Sequence, residues 1–136
     1  MKEKYNILIV DVDEEVLKLL ERLLKQEGYS VETTQSTEDA LKKIKIKKYH
    51  IVLTNIIMPN MDGIELLKEI RNYDPMTQII MMTEHSSMDK ILGSLEYGAN
   101  DYIEKPFKNE EFVIGIINYS VQKLERWRAL IIQLVQ

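Results

Sequence analysis

Tyr5-Asn6-Ile7-Leu8-Ile9-Val10 runs directly into Asp11-Val12-Asp13-Glu14-Glu15. The first six residues are β-rich and nearly all apolar, which suits a strand buried on both faces of a parallel sheet. Glu14 and Glu15 open a helix, where the helix dipole favours negative charge. Val16, Leu17, Leu20, Leu23 and Leu24 then repeat at helical spacing behind them. Gly28 supplies a stop. Tyr29–Thr33 reads as a second strand, Thr37–Lys48 as a helix with Ala40, Leu41 and Ile44 inward, and His50–Thr54 as a third strand. The turn-like segment Pro59–Gly63 precedes a helix marked by Ile64, Leu67 and Ile70. Gln78–Met82 is a fourth strand, Ser87–Tyr97 a helix ended by Gly98, Asp101–Ile103 a short fifth strand, and Lys108 onward one long helix. Strands that alternate with helices predict an α/β fold, a doubly wound (βα)5 parallel sheet with right-handed crossovers and helices on both faces.

Composition narrows the function classes. The chain has 136 residues, about one domain's worth, and 45% are apolar, enough for a core. It has no cysteine, which excludes a disulfide scaffold, a thiolate metal site and a cysteine nucleophile. Lys+Arg number 18 and Asp+Glu 22, a formal charge of -4, so no direct nucleic-acid contact is expected of this domain. Lys42, Lys43, Lys45, Lys47 and Lys48 read as the solvated outer face of the second helix. No apolar run approaches the roughly 20 residues that span a bilayer. Met1-Lys2-Glu3-Lys4 is not a signal peptide, so a soluble, cytoplasmic protein is expected. The methionines read mostly as core and loop packing.

In an open parallel sheet, sites form beyond the carboxyl ends of the strands. There the sequence sets Asp11-Val12-Asp13 after the first strand, Asn55 after the third, Thr83, Glu84 and His85 after the fourth, and Lys105-Pro106 after the fifth. An acid, an amide, a hydroxyl and an ammonium are therefore predicted to converge on one edge. His85 has no ligand cluster around it in the sequence and is not expected to bind metal. No nucleophile–base pair is visible, so a non-enzyme is expected.

Four segments also carry a resemblance. Ile7-Leu8-Ile9-Val10-Asp11, Thr54-Asn55-Ile56-Ile57-Met58-Pro59-Asn60-Met61-Asp62-Gly63, Met82-Thr83 and Gly98-Ala99-Asn100-Asp101-Tyr102-Ile103-Glu104-Lys105-Pro106-Phe107 resemble the receiver domain of bacterial two-component response regulators. Each motif alone is weak; four in register are specific, and they span about residues 5–120. The resemblance implies a flavodoxin-like sheet in the order 2-1-3-4-5. It implies that an aspartate at position 55 would take a phosphoryl group from a histidine kinase. Two acids after the first strand and the backbone carbonyl of Ile57 would hold Mg2+. Thr83 and Lys105 would bind phosphoryl oxygens, and Tyr102 would move with Thr83 as a switch. A cis peptide before Pro106 is implied as well.

Two departures alter the implied chemistry. Asn55 stands at the acceptor position, and a neutral amide oxygen is a very poor nucleophile. Val12 stands at the second acid, and Mg2+ wants oxygen ligands with one or two carboxylates. Asp11 and the Ile57 carbonyl remain, so a weak Mg2+ site at most is expected and no other cofactor. Asp13 could reach the site only through a loop shift. Lys105 is expected to pair with Asp11. The reading is thus a receiver-type module with a degenerate acceptor, serving as a protein-interaction switch or scaffold whose partners are a histidine kinase or another signalling protein. An alternative is an ordinary phosphorylatable receiver in which Asn55 is an engineered replacement of Asp; Val12, a second independent loss, weighs against it. A flavodoxin-like cofactor binder is less favoured, because the acids at 11 and 13–15 would repel a phosphate.

The last helix overruns the expected domain. Val113, Ile117, Ser120, Leu124, Trp127, Ile131 and Leu134 recur at alternating spacings of four and three, a coiled-coil-like stripe. Residues 1–120 are read as the receiver domain and 121–136 as a helical extension. The extension is expected to dimerise or to lead into an output domain of a longer protein.

Overall fold

The computed structural model describes residues 2–135. After a short 3-10 turn, five strands alternate with five helices: β1 (Asn6–Val10), α1 (Glu14–Gln26), β2 (Ser30–Thr34), α2 (Thr37–Ile46), β3 (Ile51–Asn55), α3 (Gly63–Tyr73), β4 (Gln78–Thr83), α4 (Met88–Glu96), β5 (Asp101–Glu104) and α5 (Glu110–Val135). All strand pairs are parallel and the order is β2-β1-β3-β4-β5, the expected flavodoxin-like arrangement. Alternation along β1 splits its side chains between two cores. Ile7 and Ile9 pack with Leu20, Leu24, Leu53 and Ile117 on the α1/α5 face. Leu8 and Val10 pack with Ala40, Val52, Leu66 and Ile70 on the α2/α3 face. Burial on both faces is why these strands read as continuous apolar runs rather than alternating ones.

Side-chain caps fix where the helices begin. Asp13 accepts from Glu15 N at 2.9 Å. Ser36, Asp62 and Ser87 cap α2, α3 and α4 in the same way, with Glu65 completing a capping box at α3. Gly28 takes a positive φ of 97° after α1, the left-handed conformation its stop signal required.

Two expectations are corrected. The second helix ends at Ile46, because Lys47 is extended (φ -133°, ψ 145°) and hands the chain to buried Tyr49, whose hydroxyl donates to Glu32. Lys47 and Lys48 therefore lie off the helix and pair with Glu32 and Asp74, while Lys43 faces Asp39. The basic residues do not share one helical face. Among the methionines, Met58, Met81 and Met82 are buried as packing predicts, whereas Met88 is exposed at the start of α4.

Within α5 the stripe changes environment partway. Val113, Ile117, Ser120 and Leu124 are buried against the sheet, as is Val121. Trp127, Ile131 and Leu134 are 56%, 47% and 85% exposed. No helix among the described residues is long and apolar enough to cross a membrane.

Candidate functional site

The sheet's register assembles the carboxyl edge. Val10 lies opposite Thr54, so the next residues, Asp11 and Asn55, fall side by side. Asn55 lies opposite Met82, with Thr83 one step beyond. Thr83 lies opposite Glu104, and its carbonyl accepts from Lys105 N at 2.8 Å. Asp11, Asn55, Thr83 and Lys105 are all buried. Four polar side chains far apart in sequence thus share one edge, as the element order predicts.

Lys105 Nζ donates to Asp11 Oδ2 at 2.6 Å, with side-chain exposures of only 5% and 1%. Buried charges of this kind persist only when paired. The other Asp11 oxygen accepts from Asp13 N at 3.1 Å, which turns the chain into α1. Asp13 itself is exposed and spent on capping. Val12 is exposed, and its backbone carbonyl accepts from Gln35 Nε2 at 2.9 Å. Asn55 Nδ2 donates to the Ile57 carbonyl at 2.8 Å. A carboxylate could not make this bond, because it has no proton to give. The amide therefore engages the Ile57 backbone oxygen itself.

Thr83 Oγ1 accepts from His85 N at 3.1 Å, which shapes the loop after β4. Tyr102 is partly buried, and its hydroxyl shares a 2.9 Å hydrogen bond with Ser86 Oγ, tying β5 to that same loop. The Lys105–Pro106 peptide is cis. His85 is exposed, and no group of three His, Asp or Glu side chains among the described residues is close enough to hold a metal.

Sequence reasoning missed Gly63. A Cβ there would lie 2.3 Å from the Asn55 carbonyl oxygen and 2.8 Å from Ile56 Cα. Its N–H donates to Ile56 O at 2.8 Å, so only glycine lets the start of α3 seat against the end of β3. The Asp62-Gly63 pair was the available signal; it was read as a turn and as part of a family motif, without the close approach to β3. Arg71 was missed too. Its guanidinium donates to the carbonyls of Pro75, Thr77 and Gly98 and to Asn100 Oδ1, at the opposite edge of the sheet.

Comparison with known proteins agrees with this geometry. Residues 7–116 match the response regulator receiver domain family. The alkaline phosphatase synthesis transcriptional regulatory protein PhoP of Bacillus subtilis is 41% identical over 106 residues, covering 77% of this chain and 44% of that protein. The DNA-binding transcriptional regulator NtrC of Klebsiella pneumoniae is 40% identical over 122 residues, covering 87% of this chain and 26% of that protein. The chain thus spans half or less of the length of these regulators. A response regulator receiver domain protein (CheY-like) from Methanospirillum hungatei JF-1 superposes with a TM-score of 0.87 at 33% identity, covering 90% of this chain and 97% of that one. With its sheet order, its converging polar edge and these matches, the chain belongs to the response regulator receiver domain family.

Proposed function

We propose that this receiver is closed to phosphoryl transfer and works as a protein-interaction switch or scaffold in two-component or phosphorelay signalling. The observation that carries this reading is the 2.8 Å bond from Asn55 Nδ2 to the Ile57 carbonyl. It puts a neutral donor where acceptor chemistry needs a nucleophilic carboxylate, and it fills a coordination oxygen. The donor set does not fit Mg2+: one carboxylate remains, Asp11, with one oxygen on Lys105 and the other on a backbone N–H. Val12 offers no oxygen from its side chain. A weak Mg2+ site at most follows.

Without phosphoryl input, switching requires a partner that binds two conformations with different affinity. Thr83, the Tyr102–Ser86 bond and the β4–α4 loop form the connected surface through which such a preference would act. A histidine kinase or another signalling protein is the partner class this family membership favours.

The test is calorimetric titration of Mg2+ with beryllofluoride, paired with acetyl-phosphate treatment read by intact-mass spectrometry. The protein as it stands should give no saturable heat and no phosphoryl adduct. The Asn55→Asp, Val12→Asp double variant should give both. A phosphoryl group mapped to residue 55 of the unaltered chain would overturn the reading. Full phosphorylation of the Asn55→Asp single variant would instead favour an ordinary receiver carrying one substitution, because Val12 would then not matter.

A further inference from the structure

Two unpartnered apolar surfaces lie at opposite ends of α5. The first is an open cavity of about 650 Å3 between α1 and the start of α5. Val16, Leu19 and Leu23 supply its α1 wall, Phe107 and Val113 the other, and Glu84 and Glu110 stand at its rim. Glu110 is shared with Arg22 of α1, while Glu84 makes no ion pair among the described residues. The second is the projecting end of α5. Trp127, Leu130, Ile131 and Leu134 are all about half exposed or more. Their spacing, i, i+3, i+4 and i+7, is that of a helix that lays one face into a groove. At about 100° per residue, Arg126 and Arg128 fall on either side of that face. Contiguous exposed apolar surface rimmed by charge marks an interaction site.

We propose that the distal end of α5 docks into the α1–α5 groove of a second copy of this chain, so that copies associate head to tail. Charge complementarity selects this occupant: two arginines flank the helix face, and the groove's rim carries Glu84, which has no ion pair among the described residues, while its Lys105 is neutralised by Asp11 and its Glu110 is shared with Arg22. The alternative, parallel self-pairing of the α5 stripes, is disfavoured on two counts. It would set Lys123 of one copy against Arg128 of the other. Only Trp127, Ile131 and Leu134 of the stripe are free, against the roughly three to four heptads a coiled coil needs. A chain cannot fill its own groove. Val113 and Ile131 lie on one continuous helix, about 27 Å apart at about 1.5 Å per residue. The two surfaces differ, so the contact is heterologous and propagates unless the copies close a ring. This inference stands independently of the chemistry at residue 55.

Sedimentation velocity over a concentration series on the full chain tests it. Species larger than a dimer should grow with concentration. The groove variant Leu19→Glu and the helix variant Ile131→Glu, Leu134→Glu should each associate at least about tenfold more weakly alone. An equimolar mixture of the two should form a one-to-one dimer and nothing larger, since each supplies the surface the other lacks. Glu84→Lys, on an exposed loop, replaces Leu19→Glu if that variant melts early. Three outcomes overturn the proposal: a monomer at every concentration, an undiminished dimer for the groove variant, which signals helix self-pairing, or a mixture that stays monomeric.

Discussion

The two edges of the sheet are both polar, yet they use their polar groups differently. At the carboxyl edge, one bond joins two buried charged side chains across the fold: Lys105 reaches Asp11 over 94 positions, while Asn55 and Thr83 bond to backbone groups two residues away. At the opposite edge, the bonds run mostly between side chains and backbone, with no buried ion pair among the described residues. Arg71 gathers three carbonyls, Asn100 Oδ1 accepts from Ile79 N at 2.7 Å, and His50 Nδ1 accepts from Asn6 N at 3.0 Å. The second arrangement closes orphan backbone groups where strands begin, and it leaves nothing aimed at a ligand. The first holds a charge pair that the fold does not need for backbone satisfaction. That difference separates a candidate site from a structural seam better than polarity does.

The comparison can be broken in three places. The largest effect is expected at the carboxyl edge. Lys105→Ala leaves Asp11 buried without its cation and should cost about 3 kcal/mol in chemical denaturation. Adding Asp11→Asn to that variant should recover much of the loss. Recovery would identify the unpaired charge, rather than lost packing, as the cause. At the opposite edge, Arg71→Ala should cost about 2 kcal/mol by the same measurement, since the part-buried Thr77 carbonyl and Asn100 Oδ1 lose a charged donor. Arg71→Lys should recover little, because one ammonium cannot span the fork of acceptors.

The smallest effect concerns His50. Burial holds its pKa below the ordinary 6.5, and nearby Lys48, Arg128 and Lys4 push the same way against Asp74. The unfolded chain therefore binds the proton more readily than the folded one. The stability His50 contributes is complete above pH 6.5 and is lost as pH falls below it. The denaturation midpoint should drop between pH 7.5 and pH 5.5, and the drop should flatten in His50→Asn, which keeps an acceptor for Asn6 N–H without titrating.

How legible each part was in the sequence follows the range of the forces involved. Caps, glycine stops and apolar strands are local. Glu14, Gly28 and the Ile7–Val10 run therefore revealed their elements within a residue or two. The polar edge was legible one step further out, because a parallel sheet puts every strand's carboxyl end on one side. Arg71 and Gly63 were not. Arg71 sits on an ordinary amphipathic helix, and its acceptors lie up to 29 positions away. Gly63 looks like any turn glycine until β3 closes against it.

By itself, the sequence determined the (βα)5 alternation, the absence of thiol chemistry and the identity of Asn55 and Val12, because these rest on residue type and spacing. Tertiary structure alone decided that the Asn55 amide would turn onto the Ile57 carbonyl. It alone decided that one apolar stripe on α5 would be core up to Leu124 and surface from Trp127 onward. The physical reason is that spacing fixes which face of a helix is apolar, whereas burial depends on how far the sheet beneath it extends.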